Sequence, residues 1–348
     1  MSKMYSIKDV AELYGITANK LRYYEKKGLL NPKRHPTNKY REYSVDDLLL
    51  IQMILTYRAL EVPIEEISKL IKSSSKKDIA MQLFNQWSLA NDMVHKYQNI
   101  RKSLDLIIDD VIGSENYDGL NHKIINSSKN MQETYRIMNA WEDKWHFDSW
   151  AETYDKSIRR DQGALTFYKN YDLVLEKVYE AVKETDSSGS VLDIGVGTGN
   201  LSALFLNEFD VVGVDQSKQM LFKAKEKFPM LKLRVGEFLK LPFDNQCFDV
   251  IVTSYAFHHL TLDEKEHALV EMMRVLNDDG KIVIADMMFL DEQSKQAFCS
   301  KLSAKDVETV EDEFYTDIEK FTEIVTSHGL NCEYERIDEL MFIMKIAK

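Results

Sequence analysis

The strongest constraint on the fold is a long stretch without helix breakers, because no glycine or proline lies between Pro63 and Gly113. Apolar residues recur there at steps of three and four, broken by one polar position at Arg101. Such steps place side chains on one face of a helix. The pattern predicts one long helix over residues 76–112, whose apolar seam comprises Ile79, Leu83, Trp87, Ala90, Val94, Tyr97, Leu104, Ile108 and Val111.

A seam of this length needs a partner that covers it. One interpretation is a coiled coil with a second copy of the chain, which makes the protein a homodimer. The alternative is a helix that packs on its own domain. In both cases the helix separates residues 1–75 from residues 141–348, with the polar, Asn/Ser-rich residues 113–140 as a linker. A chain of 348 residues is long enough for two hydrophobic cores.

The charge is unevenly distributed between these parts. Residues 1–44 hold ten Lys and Arg against four Asp and Glu, a balance of +6, whereas the whole chain has a formal net charge of -12. The remainder therefore carries -18. A basic N-terminal part on an acidic chain indicates that any nucleic acid contact lies in the N-terminal part, unless so short a basic window arose by chance.

Two short helical patterns, separated by Gly15 and by Thr17 as a helix N-cap, predict a helix-turn-helix in this basic part. Gly28 ends the second helix. A basic stretch with two prolines then runs from Asn31 to Tyr43 and fits a small β-hairpin wing.

These residues closely resemble the MerR family of transcription regulators, in order and spacing, across about the first 70 residues. The resemblance rests on the runs Tyr5–Ala11, Leu21–Leu30 and Asn38–Ser44. It implies that the second helix enters the major groove of promoter DNA and that the wing grips the neighbouring backbone. By position, the implied contacts are Thr17, Lys20, Arg22, Tyr23 and Tyr24 on the helix, with Tyr40 and Arg41 on the wing.

The chain departs from the metal-sensing members of that family, which resemble one another in carrying cysteines around the dimerisation helix. Residues 60–115 contain no cysteine. Cys247, Cys299 and Cys332 are far apart and show no metal-ligand spacing, so neither a metal site nor a disulfide framework is expected. No targeting segment or apolar run of about 18 residues occurs, which predicts a soluble, cytoplasmic protein without a membrane contact.

From Val191 onward, β-branched apolar segments alternate with helical patterns, as in a doubly wound α/β domain. Strands are predicted at residues 190–194, 211–214, 232–235, 248–253 and 281–285, with a closing hairpin near residues 332–337 and 341–347. The expected fold is multidomain: a mainly α winged helix-turn-helix and long helix, followed by a Rossmann-like α/β domain.

A glycine-rich turn follows the first of these strands, in the run Val191–Asn200. Its G-x-G-x-G spacing differs from the G-x-G-x-x-G of dinucleotide enzymes. Together with Asp215, Gly236-Glu237-Phe238, the run Tyr255–Leu260 and Asp279-Gly280-Lys281, this order resembles the class I S-adenosylmethionine-dependent methyltransferases over about residues 145–348, particularly those that act on small molecules.

The resemblance implies S-adenosylmethionine as cofactor and a small-molecule methyl acceptor. It implies that Asp193 contacts the ammonium group of the donor, Asp215 the ribose and Glu237 the adenine amino group. Glu237 has a longer side chain than the Asp that the family usually carries at this position. The full implied donor set is Tyr154 as a lid, Asp193, Gly195, Gly197, Gly199, Asp215, Gln216, Met220, Glu237 and Phe238.

Catalytic residues are harder to identify, because methyl transfer from a sulfonium is an in-line displacement that needs position more than a dedicated base. His258, His259 and Tyr255, with Asp286, lie at predicted strand ends and are the acid–base candidates; each has a structural role as its alternative.

The leading hypothesis is a regulator that binds DNA and also methylates a small molecule. One alternative is a regulator whose methyltransferase fold only senses the donor or its product. The other is a dimeric methyltransferase with a vestigial DNA-binding part.

Overall fold

A computed structural model describes residues 3–71, 75–113, 129, 146–160, 165–183 and 189–348. Contacts divide the chain into two compact units, residues 1–93 and 94–348. Most of the predicted linker, residues 114–128 and 130–140, lies outside the described residues, as do Trp141 and Trp145.

The first unit begins with a small winged helix-turn-helix. Ser6 and Ser44 each form a capping box, with Asp9 and Asp47 respectively, which fixes where two of its helices start. A three-stranded antiparallel sheet forms the wing, in the order β1-β3-β2. The elements are β1 (Tyr5–Ser6), α1 (Ile7–Leu13), α2 (Ala18–Lys26), β2 (Lys33–Arg34), β3 (Arg41–Tyr43), α3 (Val45–Ala59) and α4 (Ile64–Leu70).

The core of this small domain is made of apolar side chains from all four helices and the wing. Val10, Leu21, Tyr43, Ile54 and Ile67 are all fully buried in it. The next helix, α5, covers Lys76–Gly113 without a break, as the absence of glycine and proline predicts.

The second unit contains two short helices, α6 (Phe147–Trp150) and α7 (Tyr154–Ile158), and then an α/β domain. The helices of that domain are α8 (Tyr171–Lys183), α9 (Ser202–Phe205), α10 (Lys218–Lys227), α11 (Leu262–Val275), α12 (Glu292–Cys299), α13 (Ala304–Glu311) and α14 (Ile318–Ser327). Its strands are β4 (Ser190–Ile194), β5 (Asp210–Asp215), β6 (Lys232–Val235), β7 (Phe248–Ser254), β8 (Leu276–Phe289), β9 (Thr316–Asp317), β10 (Asn331–Arg336) and β11 (Met341–Ala347).

The sheet has the order β10-β11-β8-β7-β4-β5-β6, with β9 paired beside β8. The strands from β4 to β8 are parallel, whereas β11 is antiparallel to both of its neighbours. The chain moves outward from β4 in one direction to β5 and β6, and in the other to β7 and β8. In open α/β sheets, ligands bind at this kind of reversal, outside the carboxyl ends of the strands.

The predicted fold class is confirmed: the helix-turn-helix, the long helix and the doubly wound α/β domain are all present. Strand β8 is longer at both ends than the sequence predicts, because it runs from Leu276 to Phe289 rather than over residues 281–285. Leu276 pairs with Phe248 across a register shift, so Asp279 and Gly280, which lie before the strand predicted at residues 281–285, are carried within an irregular strand. No helix among the described residues is long and apolar enough to cross a membrane.

Candidate functional site

A cavity of about 310 Å³ lies at the carboxyl ends of β4, β5, β7 and β8. Its size is within the usual range for sites that bind small molecules. Eleven of the residues proposed from the sequence line it: Tyr154, Gly195, Gly197, Asp215, Gln216, Met220, Glu237, Phe238, Tyr255, His258 and His259. The structure therefore brings eight of the ten proposed donor residues and three acid–base candidates to one space.

The glycine-rich turn after β4 requires residues without a side chain. Gly195 and Gly197 have φ angles of +74° and +52°, which lie in the left-handed region. A Cβ atom on Gly195 would lie 2.6 Å from Cβ of Ala256, whereas one on Gly197 would meet only a carbonyl oxygen at 4.0 Å. The main chain at Gly197 is thus open to the cavity.

Gly199 is also in the left-handed region, at φ +85°, but it does not line the cavity. A Cβ there would lie 3.0 Å from the Phe228 ring, so this glycine allows the turn to pack on the segment after α10. The structure assigns Gly199 to packing rather than to ligand contact.

Asp215 ends β5 and is held by main-chain donors. Its Oδ2 accepts a 2.8 Å hydrogen bond from the nitrogen of Gly197, and its Oδ1 accepts one of 2.8 Å from the nitrogen of Ser217. The carboxylate is 8% exposed and lines the cavity. It is therefore oriented before any ligand arrives.

Asp193 lies behind the turn and is not among the residues that line the cavity. Its Oδ2 accepts a 2.7 Å hydrogen bond from the hydroxyl of Ser202. Burial raises the pKa of Asp193 to about 7, and the neighbouring Asp215 adds to this effect while Ser202 opposes it. Asp193 is therefore not placed to contact the donor ammonium group directly, as the resemblance implied it would.

The part of the cavity that follows β5 and β6 in the chain has a largely apolar wall. Met220 and Phe238 are 2% and 8% exposed, and the Phe238 ring packs edge-on against Phe257 at 5.6 Å between centroids. The Oε1 atom of Gln216 is buried and has no hydrogen-bond partner among the described residues. A buried amide oxygen without a partner indicates a place where a ligand donor fits.

Helices α6 and α7 are fastened beside this wall by two aspartates that the sequence analysis missed. Oδ1 of Asp148 accepts a 2.7 Å hydrogen bond from the hydroxyl of Ser217. The Asp155 carboxylate accepts a 2.6 Å hydrogen bond from the hydroxyl of Thr198, in the glycine-rich turn, and one of 2.7 Å from the Lys227 ammonium group. These bonds hold the segment that carries Tyr154, whose ring packs edge-on against Trp150 at 4.9 Å between centroids.

Tyr255 follows β7 in a strained conformation, with φ at +54°. Its ring lies 5.2 Å from those of Tyr168 and Tyr171, between centroids. Its buried hydroxyl has no hydrogen-bond partner within the described ranges. Burial raises the pKa of Tyr255, so at neutral pH the phenol is protonated and can donate to a ligand.

The opposite end of the cavity holds two histidine–carboxylate pairs. The Nδ1 atom of His258 lies 2.6 Å from Oδ1 of Asp286, and Nδ1 of His259 lies 3.1 Å from Oε2 of Glu313. Asp286 is fully buried; burial raises its pKa, but adjacent His258 and main-chain donors leave it lowered overall. Burial lowers the pKa of His259 to about 4.

Glu313 and the other walls of this end, Phe147, Phe167, Tyr168 and Tyr315, were not identified from the sequence. They belong to segments that precede the sheet or follow α13, with no motif of their own. The sequence indicates only that segments such as residues 141–165 and 286–318 shape the acceptor pocket, and Phe147, Glu313 and Tyr315 fall within them.

The helix-turn-helix presents a second candidate surface. Thr17 caps α2 by accepting a 3.2 Å hydrogen bond from the nitrogen of Lys20, and Lys20 itself is exposed. Tyr23 is 44% exposed, whereas Tyr24 is 1% exposed and belongs to the core. Tyr24 is therefore removed from the proposed DNA contacts, because a side chain buried in the core of the domain cannot reach a groove.

The wing is tied to α2 through Glu25, another residue that the sequence analysis missed. Its Oε2 lies 2.5 Å from Nε of Arg41, and its other oxygen pairs with Arg34. Tyr40, at the wing, is 73% exposed, and Arg22 is exposed with its guanidinium 2.6 Å from the Asn19 side chain. Arg22 and Tyr40 are thus accessible, while Arg41 is partly neutralised by its partner.

Comparison with known proteins decides the family of the α/β domain. Residues 191–280 match a family model described as a methyltransferase domain. An uncharacterized methyltransferase from Alkaliphilus oremlandii is 38% identical over 209 residues, which cover 58% of this chain and 95% of the relative. The chain belongs to this methyltransferase family. Domains of this class use S-adenosylmethionine, which is therefore the cofactor of the methyltransferase domain.

A second relative supports this assignment. An uncharacterized methyltransferase from Anoxybacillus flavithermus is 34% identical over 208 residues, covering 58% of this chain and 96% of the relative. Among solved structures, the PH0226 protein from Pyrococcus horikoshii aligns with a TM-score of 0.44 at 20% identity, covering 56% of this chain and 97% of the other. Residues 5–74 match the model described as MerR HTH family regulatory protein, so a MerR-type helix-turn-helix precedes the methyltransferase domain.

Proposed function

We propose that this chain is a DNA-binding transcription regulator whose methyltransferase domain transfers a methyl group from S-adenosylmethionine to a small molecule. The observation that carries the proposal is the single cavity in which the glycine turn and Asp215 face the same space as His258 and Tyr255. A donor half and an acceptor half in one cavity are what methyl transfer requires.

The donor half fits the cofactor in three respects. The main chain at Gly197 is open, so a ligand can lie directly on the turn. Asp215 is held by two main-chain donors and has the geometry to accept hydrogen bonds from ribose hydroxyls. Met220 and Phe238 form an apolar wall for the adenine, beside Glu237 for its amino group and Gln216 with its unpartnered oxygen.

The chemistry places modest demands on the protein. S-adenosylmethionine supplies a methyl group already activated by its positive sulfur, so the transfer needs alignment and the exclusion of water. Tyr154 on the fastened segment α6–α7 is positioned to cover the donor, and Tyr168, Tyr255 and Tyr315 enclose the acceptor. A cavity this small favours a small-molecule acceptor over a protein or nucleic acid.

The MerR-type domain provides the DNA contact in this proposal. Lys20, Arg22 and Tyr23 lie on accessible positions of α2, which is the helix that enters the major groove in such domains. In the same proposal, Tyr40 on the wing contacts the neighbouring DNA backbone.

Homodimerisation is the third part of the proposal. On α5, the seam residues Leu83, Trp87, Val94, Tyr97, Leu104 and Ile108 are between 39% and 55% exposed in the single chain. So many large apolar side chains on one helix face form a surface that a second copy can cover. A dimer also suits a regulator that reads a site with two-fold symmetry.

Turnover tests the enzymatic half of the proposal. The full chain is incubated with S-adenosylmethionine and a small-molecule extract, and S-adenosylhomocysteine is quantified by mass spectrometry, with Asp215→Ala as the inactive control. Extract-dependent product with the wild-type chain alone supports an enzyme. Donor binding without product from any extract would instead favour a donor sensor.

A further inference from the structure

The acceptor end of the cavity contains a cluster that the methyl-transfer proposal does not explain. His258, His259 and Glu313 each offer one potential ligand atom, and these atoms all lie within 4.8 Å of one another. All three side chains line the cavity, and they are only 5–17% exposed. Two imidazoles and a carboxylate thus converge in a largely dehydrated place.

The orientation of His258 matches that of a metal ligand. Its Nδ1 is occupied by Asp286, which also accepts hydrogen bonds from the main-chain nitrogens of His258 and Met287. This arrangement leaves Nε2 as the nitrogen available to a ligand. A histidine that binds metal almost always gives its other ring nitrogen to a carboxylate or carbonyl in this way.

The pair His259–Glu313 has the spacing of two adjacent ligands. Its atoms are 3.1 Å apart. Two ligands at about 2.0–2.1 Å from a tetrahedral ion lie roughly 3.3 Å from each other. An ion can therefore replace the proton that joins Nδ1 of His259 to the Glu313 carboxylate with little movement of either group.

The backbone around the cluster is fixed in place. The nitrogen of Phe314 donates a 3.0 Å hydrogen bond to the carbonyl of His258. The buried Lys265 ammonium group donates to the carbonyls of Leu260 and Phe314, which follow His259 and Glu313 directly. These bonds join the loop that carries Glu313 to the turn that carries both histidines, so the three ligand groups are held together before an ion binds.

We propose that His258, His259 and Glu313 bind one divalent transition-metal ion, of which zinc is the representative, with Asp286 orienting His258. Two nitrogens and one carboxylate suit zinc and its neighbours, whereas magnesium and calcium prefer oxygen ligands alone. Three protein ligands leave a fourth position open, as in catalytic rather than structural zinc sites. The sequence did not predict this site, because Glu313 is 54 residues from His259 and no spacing motif links them.

The role of the open position rests on the proposed function. Because the three ligand residues line the cavity, this position would hold the hydroxyl, thiol or amine of the acceptor. When it binds the ion, the heteroatom gives up its proton to solvent. On methyl transfer it forms the new bond to carbon, while the carbon–sulfur bond of the donor breaks and its electron pair stays on sulfur. Metal binding itself does not depend on this role.

The test uses the full chain without an affinity tag, after treatment with a chelator. Calorimetry with Zn²⁺ should give one site per chain, and Co²⁺ should give the visible absorption of a four- or five-coordinate ion. Glu313→Gln and His258→Gln should each weaken Zn²⁺ binding by about tenfold or more, and Asp286→Asn by about 10- to 100-fold. The exposed Glu311→Gln and the helix residue His267→Gln, outside the cluster, are the matched controls and should bind as the wild type does.

S-adenosylmethionine affinity, measured on the same samples, separates the two proposals and reports folding. Donor binding without Zn²⁺ binding overturns the metal site alone, and Zn²⁺ binding without donor binding overturns only the proposed function. Zn²⁺ binding that Glu313→Gln and His258→Gln leave unchanged also overturns the site. A Co²⁺ spectrum typical of six-coordinate, largely hydrated ions would also overturn the proposed metal site.

Discussion

The main-chain nitrogen of Gly197 donates a 2.8 Å hydrogen bond to the Asp215 carboxylate, which joins the turn after β4 to the end of β5. This bond fixes the two groups that we propose for the donor, and it leaves the Cα of Gly197 open to the cavity. The donor site can therefore be tested at a residue with no side chain.

Gly197→Ala should abolish S-adenosylmethionine binding with only a small loss of stability. The added methyl group enters the donor space, while the left-handed backbone costs about 1–2 kcal/mol. Gly329→Ala is the matched control, because Gly329 has a φ of +77° and an added Cβ there meets nothing within 4 Å. Calorimetry and thermal denaturation should show similar destabilisation of both variants but loss of binding only in Gly197→Ala; equal affinity in the two would contradict the assigned donor position.

The bonds of Asp155 predict a lid on the donor. Asp155→Asn removes the ion pair with Lys227 and weakens the contact with Thr198, so α7 and Tyr154 should separate from the turn more often. We expect faster donor dissociation in stopped-flow fluorescence, by about three- to tenfold, since a lost charged hydrogen bond is worth about 1 kcal/mol or more. Asp172→Asn, which breaks an exposed ion pair with Arg159, is the control and should dissociate at the wild-type rate.

The buried Asp193 predicts a pH dependence of stability. Its pKa is about 7 in the folded chain against 3.8 for an ordinary carboxyl, because burial disfavours the charge. The folded state therefore binds the proton more tightly than the unfolded state, and its stability should fall as the pH rises from about 4 to 7. Asp193→Asn keeps a neutral partner for Ser202 and should gain stability relative to the wild type across this window, in denaturant titrations at each pH. A constant difference between the two proteins would show that Asp193 is ionised throughout.

The seam on α5 predicts a homodimer. Light scattering should give twice the 40.6 kDa chain mass. Leu104→Glu combined with Ile108→Glu should produce a monomer, because both side chains lie on the seam. Leu89→Glu, an exposed apolar position off the seam, should remain dimeric. A wild-type monomer at micromolar concentration would contradict the prediction and favour a helix that packs on its own domain.

Much of this architecture could be predicted from local sequence. The run without breakers gave α5 almost to the residue, and alternating apolar segments gave the strands of the parallel sheet, since both signals are periodic and local. The end of β4 and the turn after it carry a motif, so Gly195, Gly197 and Asp215, which line the cavity, could be singled out from the sequence.

Residues that act through tertiary contact could not be found in this way. Glu313 lines the cavity, and Asp148 and Asp155 hold α6 and α7 beside it, all from segments that are distant from the glycine turn in sequence. Their roles depend on which Ser, Thr, Lys or His the fold places beside them. For the same reason Tyr24 was wrongly included among the accessible residues of α2. Which of two consecutive tyrosines is exposed depends on where α3 packs.

The central claim is that the cavity at the ends of β4 and β5 binds S-adenosylmethionine through Asp215. The most direct measurement is a calorimetric titration of the full chain with S-adenosylmethionine, beside Asp215→Ala and the control Asp210→Ala. Asp210 begins the same strand, at its exposed end, where it pairs with Lys232. The account predicts one donor per chain, bound equally by the wild type and Asp210→Ala and not by Asp215→Ala. Wild-type protein that binds no donor at high protein concentration, or a folded Asp215→Ala that binds it as tightly as the wild type, would contradict it.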